Sequence, residues 1–390
     1  MTGEPDGRMN DFPIENLPYG VFSAGSRDRK VGVAIDHHIL DLAALKEFGG
    51  LFEAGSLEPF LAAGHGVWSS VRQEVIDLLK TGDHEPHLTP IDQAEMHLPC
   101  RIGNYVDFFS SIEHATNTGR ILRPGTEPLT PNWRHLPIGY HGRAGSIVVD
   151  GTPIRRPKGQ RRASSGPTFG PSTKLDFELE VGFITGQGPE LGVPVTPAEA
   201  ETYILGLVLV NDWSARDIQA WESQPLGPLL GKSFGTTISP WIVPLAALAP
   251  FRSKPPTQDP APLPYLTPAG RGINLELEAS INGSVVTRSN LKNLYWTMSQ
   301  QLAHATSNGA TFSPGDLFAS GTVSGSTPRS RGCLLELTSN GTEPITLENG
   351  QKRSFLEDGD TVVLSAWAGG KAKPRVGFGN CSGTVLPARR

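Results

Sequence analysis

Three features that define whole classes of protein are missing from this sequence. Its three cysteines, Cys100, Cys333 and Cys381, are scattered without CxxC spacing, which excludes a disulfide framework or a thiolate zinc site. Its 34 lysines and arginines are outnumbered by 39 aspartates and glutamates, so the basic excess that nucleic-acid phosphates require is absent. No apolar run approaches the roughly 18 residues that cross a bilayer. These absences predict a cytoplasmic protein that binds neither nucleic acid nor membrane.

Turn-forming residues are abundant instead. The chain has 45 glycines and 34 prolines among its 390 residues, a share that favours a turn-rich, mainly β protein. Its first twenty residues are polar and acidic, unlike a signal peptide. The length allows two or three domains. Residues 82–99 show no periodicity and are rich in proline, aspartate and histidine, so we predict one domain over 1–99 and another over 100–390.

Local signals predict individual elements. Two short β-like runs around Asp36 and His37 indicate a hairpin, and Asn282 with Gly283 is typical of a type I′ turn between strands. Ser70 and Gln73 have the spacing of a capping box, which would begin a helix that ends near Gly82. A second helix, closed by Asn308 and Gly309, is predicted from an apolar stripe of Leu291, Leu294, Tyr295, Met298 and Leu302.

The segment LDFELEV alternates acidic and apolar residues. A strand would place Asp176, Glu178 and Glu180 on one face, and clustered carboxylates of this kind suit a hard divalent cation. The alternative is an ordinary solvent-exposed face, because INLELEAS repeats the pattern with Glu276 and Glu278 in front of a hairpin. The pattern alone leaves both interpretations open.

The segment VLVNDWSARDIQAWE follows an apolar strand. Asp212, Arg216 and Gln219 have the i, i+4, i+7 spacing of one helix face, which would bring an acid, a cation and an amide together. A plain surface ion pair between Asp212 and Arg216 is the alternative. Downstream, Lys232 lies in a sequence like the end of a phosphate-binding loop, but Leu226 stands where that loop requires glycine. A nucleotide site is therefore excluded.

A histidine offers a candidate base. In NYVDFFSSIEHATNTGR, Asp107 and His114 would share a face if the segment were helical. A structural, hydrogen-bonded histidine is the alternative to a general base. Because no serine or cysteine has the context of an activated nucleophile, activated water is the better candidate for attack.

These segments together identify the sequence as similar to the fumarylacetoacetase (fumarylacetoacetate hydrolase) family. The resemblance runs from FPIENLPYGVFS to the final VLP and includes PNWRHLPIGYHGR, PLGPLLGKSFGTT, GDLFASGTVSGS and RVGFGN. It implies a mainly β (α+β) fold, with a small SH3-like N-terminal β-barrel followed by a larger mixed β-sheet or β-roll catalytic domain with few helices. It also implies a homodimer.

The resemblance further implies a metal-dependent hydrolysis of a β-diketone carbon–carbon bond. The family pattern assigns His114 as the base that activates water and Glu336 as its orienting acid. Arg216, Gln219 and Lys232 would donate hydrogen bonds to the developing oxyanion. The implied ligands of Ca²⁺ are Asp107, Glu178, Glu180 and Asp212, and those of Mg²⁺ are Asp212, Lys232 and Thr236, with the lysine acting through its backbone carbonyl. The implied substrate contacts are Arg123, Tyr140, Gln219 and Thr322.

Two positions depart from the family pattern. Phe109 and Ser223 stand where the family usually has substrate-binding tyrosines, so two phenolic hydroxyls are absent. The implied reaction converts 4-fumarylacetoacetate and water to fumarate and acetoacetate, the last step of tyrosine and phenylalanine breakdown. The alternatives are an acylpyruvate hydrolase or β-keto acid decarboxylase of the same superfamily, and, in another class, a non-catalytic Ca²⁺-binding β protein.

Overall fold

The computed structural model describes residues 10–82, 87–267, 271–370 and 373–390. The first nine residues, part of the polar segment compared above with a signal peptide, lie outside these ranges. The strands, in chain order, are β1 (Tyr19–Ser23), β2 (Lys30–Ile35), β3 (His38–Asp41), β4 (Leu88–Pro90), β5 (Glu95–His97), β6 (Tyr105–Phe108), β7 (Gly139–His141), β8 (Ile147–Val149), β9 (Ile154–Arg155), β10 (Lys158–Arg161), β11 (Thr168–Pro171), β12 (Leu175–Asp176), β13 (Leu179–Thr185), β14 (Ile204–Asp212), β15 (Ser214–Ala215), β16 (Thr236–Ile238), β17 (Val243–Pro244), β18 (Arg252–Ser253), β19 (Gly272–Ile273), β20 (Glu276–Ile281), β21 (Ser284–Asn290), β22 (Leu317–Ala319), β23 (Ile345–Thr346), β24 (Lys352–Arg353), β25 (Thr361–Ala368) and β26 (Val376–Leu386).

Helices are few and mostly short. The longest is followed by Gly82, whose φ of 83° is the left-handed conformation that ends helices. The α-helices in the described ranges are α1 (Glu58–Ala62), α2 (Gly64–Thr81), α3 (Ile112–Leu122), α4 (Arg216–Glu222), α5 (Leu245–Leu248), α6 (Met298–Thr306) and α7 (Leu334–Leu337).

The N-terminal strands form an antiparallel sheet in the order β4-β3-β2-β1-β5. Its tight β2–β3 hairpin turns at Asp36, which has a φ of 50°. One core cluster joins this sheet and α2 to the central sheet, with Val33, Trp68 and Val210 among its members. The N-terminal region therefore covers one face of the central sheet.

The central sheet has eight strands and mixed pairing. Its order is β7-β6-β22-β13-β14-β16-β8, with β17 also paired to β14. Every residue of β14 is buried. Val208 and Val210 belong to the cluster shared with the N-terminal region, whereas Leu207 and Leu209 belong to the cluster on the opposite face. This double burial explains the continuous apolar run that precedes Asp212.

The C-terminal sheet covers that opposite face. It has the order β21-β20-β25-β26-β9, and its apolar residues, such as Leu277, Leu364 and Phe378, share one core cluster with Val181 and Leu209 of the central sheet. The central sheet is thus enclosed between two layers, which makes it the rigid support for side chains at its edge.

The architecture confirms the predicted mainly β fold with few helices. Both predicted hairpins are present, and the turn residues Asn282 and Gly283 have φ values of 50° and 82°. The division into residues 1–99 and 100–390 stays a prediction. Across the described ranges, no helix combines the length and hydropathy needed to cross a membrane.

Two helix predictions are wrong in their bounds. The helix predicted to start at Ser70 begins at Gly64, and the Ser70 hydroxyl donates to the carbonyl of Gly66 inside it. The apolar stripe from Leu291 is not one helix, because α6 begins only at Met298 after the Thr297 cap. Residues 291–293 form a separate 3₁₀ turn.

Candidate active site

Four acidic residues, Asp107, Glu178, Glu180 and Asp212, form a carboxylate cluster at one edge of the central sheet. Strand register brings them together: Asp107 lies opposite Ala319, and Glu180 lies opposite Val210, two residues before Asp212. Alternation along β6, β13 and β14 places Asp107, Glu180 and Asp212 on the face that packs against the N-terminal region. Glu178 joins them from the two-residue break that precedes β13. Carboxylate oxygens of Asp107, Glu178 and Asp212 lie within 4.8 Å of one another.

The carboxylate cluster has unused oxygen atoms. All four side chains are at most 4% exposed. Oδ1 of Asp107 and both carboxylate oxygens of Glu180 are buried without a hydrogen-bond partner among the described residues. Burial, reinforced by the neighbouring acids, raises the pKa of Asp107 and of Glu180. Buried groups of this kind are normally satisfied, so the all-oxygen donor set fits a divalent cation.

Lys232 neutralises part of this charge. Its Nζ donates to Asp212 Oδ2 at 2.9 Å and also contacts Glu178. Burial works to lower the pKa of Lys232, but Asp212 and Glu178 outweigh it and raise the pKa. For Glu178, burial is likewise opposed by Lys232 and Arg216, and the pKa falls below its usual range. The ammonium group therefore stays charged beside the ionised Glu178.

Arg216 does not pair with Asp212, so both helical interpretations of that segment are wrong. Asp212 ends β14, and the helix begins only at Arg216. The guanidinium instead donates from Nε to Asp176 at 2.8 Å and from Nη1 to Glu178 at 2.8 Å. Nη1 also reaches Gln219 Oε1 at 3.2 Å. Its buried Nη2 has no partner within the described part of the chain, so one donor remains for a ligand.

His114 and Glu336 form a buried dyad. His114 lies in the first turn of α3, after the Ser111 cap, while Asp107 lies in β6, so the predicted shared helix face is wrong. Nδ1 of His114 is 2.6 Å from Glu336 Oε2, and Asn117 and Ser324 also donate to this carboxylate at 2.8 Å.

Burial of Glu336 works to raise its pKa, but His114 and these donors lower the pKa to about 2. Glu336 is therefore ionised over the neutral range and acts as the acceptor that orients the imidazole. Arg216 joins Glu178 to Asp176, and Asp176 accepts from the amides of Leu334 and Leu335, next to Glu336, so the dyad lies beside the carboxylate cluster.

Several predicted substrate contacts surround these groups. The Tyr140 hydroxyl donates to Asp212 Oδ2 at 2.8 Å. The Phe109 ring lies edge-on to the His114 imidazole, with centroids 5.3 Å apart. Thr322 Oγ1 is buried and unpartnered among the described residues. Gly321, with a φ of 74°, approaches the Phe108 carbonyl so closely that a Cβ there would lie 2.1 Å from the oxygen.

Three other predicted site residues hydrogen-bond to other groups of the protein. Ser223 donates to the Gln219 carbonyl at 2.5 Å, so its hydroxyl already has a partner. Thr236 donates to Asp212 Oδ1 at 2.9 Å. Arg123 lies at the far end of α3, about 13 Å along the axis from His114, and donates to the Pro128 carbonyl. Its contact with substrate stays a prediction.

An open cleft of about 320 Å³ reaches Asp212, one of the four acids of the carboxylate cluster. Its walls include Tyr105, Tyr140, Asp212, Lys232 and Thr236. The buried Tyr105 hydroxyl has no partner in the described ranges, and burial together with the charges of all four acids raises the pKa of Tyr105. The cleft therefore opens Asp212 and Lys232 to solvent.

Sequence reasoning missed Tyr105, Asn117 and Ser324. Tyr105 could have been found, because it lies two residues before Asp107 on the same strand face. Asn117 could also have been found, since it lies one helical turn after His114. Ser324 gives no local signal, because it meets Glu336 only through tertiary packing.

Two matches to family models divide the chain. Residues 15–99 match the model described as Fumarylacetoacetase N-terminal, and residues 103–386 match Fumarylacetoacetate (FAA) hydrolase C-terminal. The fumarylacetoacetase of Rattus norvegicus is 48% identical, over 100% of this chain and 99% of the rat protein. That of Arabidopsis thaliana is also 48% identical, over 98% of this chain and 97% of the plant protein.

Solved structures share the fold at low identity. A fumarylacetoacetate hydrolase from Exiguobacterium antarcticum superposes with a TM-score of 0.55 at 18% identity, covering 96% of this chain and 100% of the other. A maleylpyruvate hydrolase from Sphingobium gives 0.55 at 14% identity, covering 95% and 100%. At these identities the likeness concerns the fold alone.

Proposed function

The chain belongs to the fumarylacetoacetase family, and from this membership and the geometry of the site we propose how it works. The protein hydrolyses the carbon–carbon bond of a β-diketone, converting 4-fumarylacetoacetate and water to fumarate and acetoacetate, as in the last step of tyrosine and phenylalanine breakdown. The observation that carries the mechanism is the 2.6 Å contact between His114 and Glu336, beside a buried carboxylate cluster.

His114 is the proposed general base. Glu336 fixes the imidazole through Nδ1, so Nε2 takes the proton from water as the oxygen attacks the carbonyl carbon next to the alkene. The bond from that carbon to the methylene group then breaks, and its electron pair passes to the second carbonyl as an enolate. His114 returns the proton to the methylene carbon. The attacked fragment leaves as fumarate, and the protonated fragment leaves as acetoacetate.

Three donors are proposed to stabilise the oxyanion. Arg216 offers its unpartnered Nη2, and Gln219 and Lys232 lie close to the same guanidinium and carboxylates. A single well-placed donor of this kind is worth roughly 3–4 kcal/mol. Because Asp176 and Glu178 already hold the guanidinium, little reorganisation is needed when charge develops.

We assign the carboxylate cluster to Ca²⁺. Its donors are all oxygen, and Asp107 and Glu180 carry oxygens that nothing else satisfies in the described residues. A bound cation would supply Lewis-acid stabilisation of negative charge on the diketone oxygens. Mg²⁺ is the proposed occupant beside Asp212, Thr236 and the backbone carbonyl of Lys232, because a positively charged ammonium has no lone pair to offer a cation.

The substrate is bound, in this proposal, by Tyr140, Gln219, Thr322 and Arg123, with Phe109 and Ser223 at the two divergent positions. Phe109 contributes an apolar ring against His114, and Ser223 contributes no free hydroxyl. Each lost phenolic hydrogen bond costs about 1 kcal/mol of recognition. Recognition of the carboxylates therefore falls more heavily on the remaining cationic and hydroxyl groups.

A direct assay tests the substrate. Purified protein is incubated with Ca²⁺ or Mg²⁺ and either fumarylacetoacetate or an acylpyruvate, and the products are separated. We expect fumarate and acetoacetate from the first substrate. Turnover of acylpyruvates alone, or decarboxylation products, would assign the chain to another activity of the superfamily.

His114→Ala tests the base and excludes a purely metal-binding role. We expect kcat to fall about 10²–10⁴-fold, with Ca²⁺ affinity by calorimetry unchanged, because His114 is not in the carboxylate cluster. His135→Ala is the control, since this exposed histidine lies in a turn outside the site, where its backbone N–H donates to the Asn132 carbonyl. An unaffected rate in the His114 variant would refute the assigned base.

The proposed homodimer has a candidate surface. An apolar surface, formed by Phe169, Trp221, Leu226, Leu229 and Leu230, is exposed, with Leu226 at 96%. Trp221 Nε1 donates to Gln160, the cross-strand neighbour of Phe169, so the two aromatic residues are neighbours on this surface. We propose that a second copy covers it. Leu226→Asp should convert the dimer to monomers in light scattering, and Val193→Asp, at another exposed apolar side chain, is the control.

A cytoplasmic location is proposed from the thiols. Cys100, Cys333 and Cys381 are all buried and free, which suits a reducing compartment. Cell fractionation with activity measurement tests the location.

A further inference from the structure

Asp176 is a fully buried carboxylate that the proposed chemistry does not use. The sequence pattern grouped it with Glu178 and Glu180 on one strand face, but the strand is interrupted after Asp176 and resumes at Leu179. Its carboxylate shares the Arg216 guanidinium with Glu178 but also accepts from the amides of Leu334 and Leu335, which the carboxylate cluster does not contact. We infer that Asp176 is a positioning residue, which holds the Arg216 guanidinium and the Glu336–His114 dyad in one fixed arrangement. This inference rests on the proposed function.

On one side, Asp176 fixes Arg216. Its Oδ2 accepts from Arg216 Nε at 2.8 Å, and Arg216 Nη1 is held by Glu178 at 2.8 Å. Two contacts on different nitrogens fix the plane of the guanidinium. The remaining nitrogen, Nη2, is then directed to the place where the structure offers it no partner.

On the other side, Asp176 fixes α7. Its Oδ1 accepts from the Leu334 amide at 2.7 Å, and its Oδ2 accepts from the Leu335 amide at 2.9 Å. The next residue, Glu336, carries the carboxylate that orients His114. Because α7 has only four residues, a shift of its first turn moves Glu336 directly.

The competing interpretation is that Asp176 only stabilises the fold. The chain contains a matched case, Asp360, which is 2% exposed. It accepts from Arg353 Nε at 2.8 Å and from the Glu357 amide at 2.8 Å. Asp360 directly precedes β25. Its hydrogen bonds within the described part of the chain involve none of the proposed catalytic residues. Asp360→Asn therefore reproduces the loss of a buried arginine and amide acceptor without a link to the dyad.

The experiment compares Asp176→Asn with Asp360→Asn. In Asp176, one carboxylate oxygen accepts from the Leu334 and Phe177 amides, and the other accepts from the Leu335 amide and Arg216. An asparagine at 176 would therefore direct its NH₂ group at N–H donors in either orientation of its amide. At a temperature where urea titrations show both variants folded, we expect kcat to fall about 10–100-fold in Asp176→Asn. Asp360→Asn should stay within about twofold, a range typical of sites with no shared partners.

Two further readouts separate positioning from stability. The proton in the 2.6 Å His114–Glu336 contact gives a far-downfield proton NMR signal, which should shift in Asp176→Asn and not in Asp360→Asn. In a Glu336→Gln background, Asp176→Asn should lower kcat little further, because two substitutions that act through the same residue have non-additive effects. If Asp176→Asn fails to fold, Asp176→Glu against Asp360→Glu carries the same comparison, because it keeps the charge and displaces the carboxylate by one methylene from the Arg216 and α7 donors.

Equal loss of kcat in the two variants, an unshifted proton signal or fully additive effects would each overturn the inference. The proton signal needs no turnover. If the wild-type protein failed to cleave fumarylacetoacetate, the proposed function would fall, while the NMR comparison would still decide the role of Asp176.

Discussion

Two segments with the same sequence pattern have opposite environments in this protein. LDFELEV places Glu178 and Glu180 at 4% and 0% exposure. INLELEAS, which contains β20, leaves Glu276 exposed, and Glu278 forms an ion pair with the exposed Arg288 across the hairpin at 2.7 Å. The acids of the first segment lie on a sheet face covered by the N-terminal region, whereas those of β20 lie on an uncovered face. Alternation shows that acids share a face, but only packing decides whether that face becomes a site.

The sharpest test of this comparison is Glu180→Gln against Glu278→Gln. Loss of a carboxylate from the cluster should remove Ca²⁺ binding in calorimetry, and with it several kcal/mol of transition-state stabilisation, about a thousandfold in kcat/KM. The Glu278 variant should differ from wild type by less than about twofold, because its partner is an exposed arginine. Similar losses in both variants would break the comparison.

Breaking ion pairs in the two regions should affect stability unequally. Arg216 is 6% exposed and holds Asp176 and Glu178, so Arg216→Ala leaves buried carboxylates without a partner and should cost about 3–5 kcal/mol. Arg288→Ala removes a pair whose arginine side chain is 68% exposed, and should cost less than about 1 kcal/mol. Urea unfolding measures both, and a larger loss in the Arg288 variant would contradict the assignment.

The dependence of stability on pH should also separate the regions, with a smaller effect. Burial and neighbouring acids raise the pKa of Asp107 and Glu180 above the ordinary values of 3.8 and 4.5. A carboxyl group whose pKa is higher in the folded state contributes stability at low pH, and loses it as pH rises above its unfolded value. The metal-free protein should therefore lose stability from about pH 4 upward, and Ca²⁺ should raise Tm more at pH 7 than at pH 4.5.

Calorimetry with and without a chelator measures how far Ca²⁺ raises Tm at each pH. In Glu180→Gln, the Ca²⁺-induced rise in Tm should disappear, since one ligand has been removed, and the metal-free protein should lose less stability as pH rises, since one carboxyl group with a raised pKa is gone. Glu278→Gln should keep the wild-type increment. A Ca²⁺-induced rise in Tm that is the same at pH 4.5 and pH 7 would show that Ca²⁺ does not replace protons on the carboxylate cluster.

Some elements could be predicted from local chemistry and others could not. Asn282 and Gly283 predict their hairpin because both adopt positive φ with little strain. Gly82 ends α2 for a similar reason. The stripe from Leu291 to Leu302 misleads, because the capping box of Thr297 and Gln300 starts α6 within it. The same apolar spacing is met by a 3₁₀ turn followed by a helix.

The candidate site shows the same limit. Spacing suggested that Asp212 and Arg216 share a helix face, and that Asp107 and His114 do so too, yet each pair is split between a strand and a helix. These residues meet through sheet register and loop closure. No local periodicity encodes such contacts, and the resemblance to a family supplied the grouping that spacing did not.

The sequence by itself determined the mainly β character, the hairpin turns and the identity of the chemical groups, because backbone preference and side-chain chemistry are local properties. Tertiary structure alone decided which acids are buried together, that Arg216 turns to Asp176, and that Glu336 reaches His114 from 222 residues away. The reason is physical: burial, and the electrostatic interactions that burial strengthens, depend on which surfaces cover one another in the folded chain.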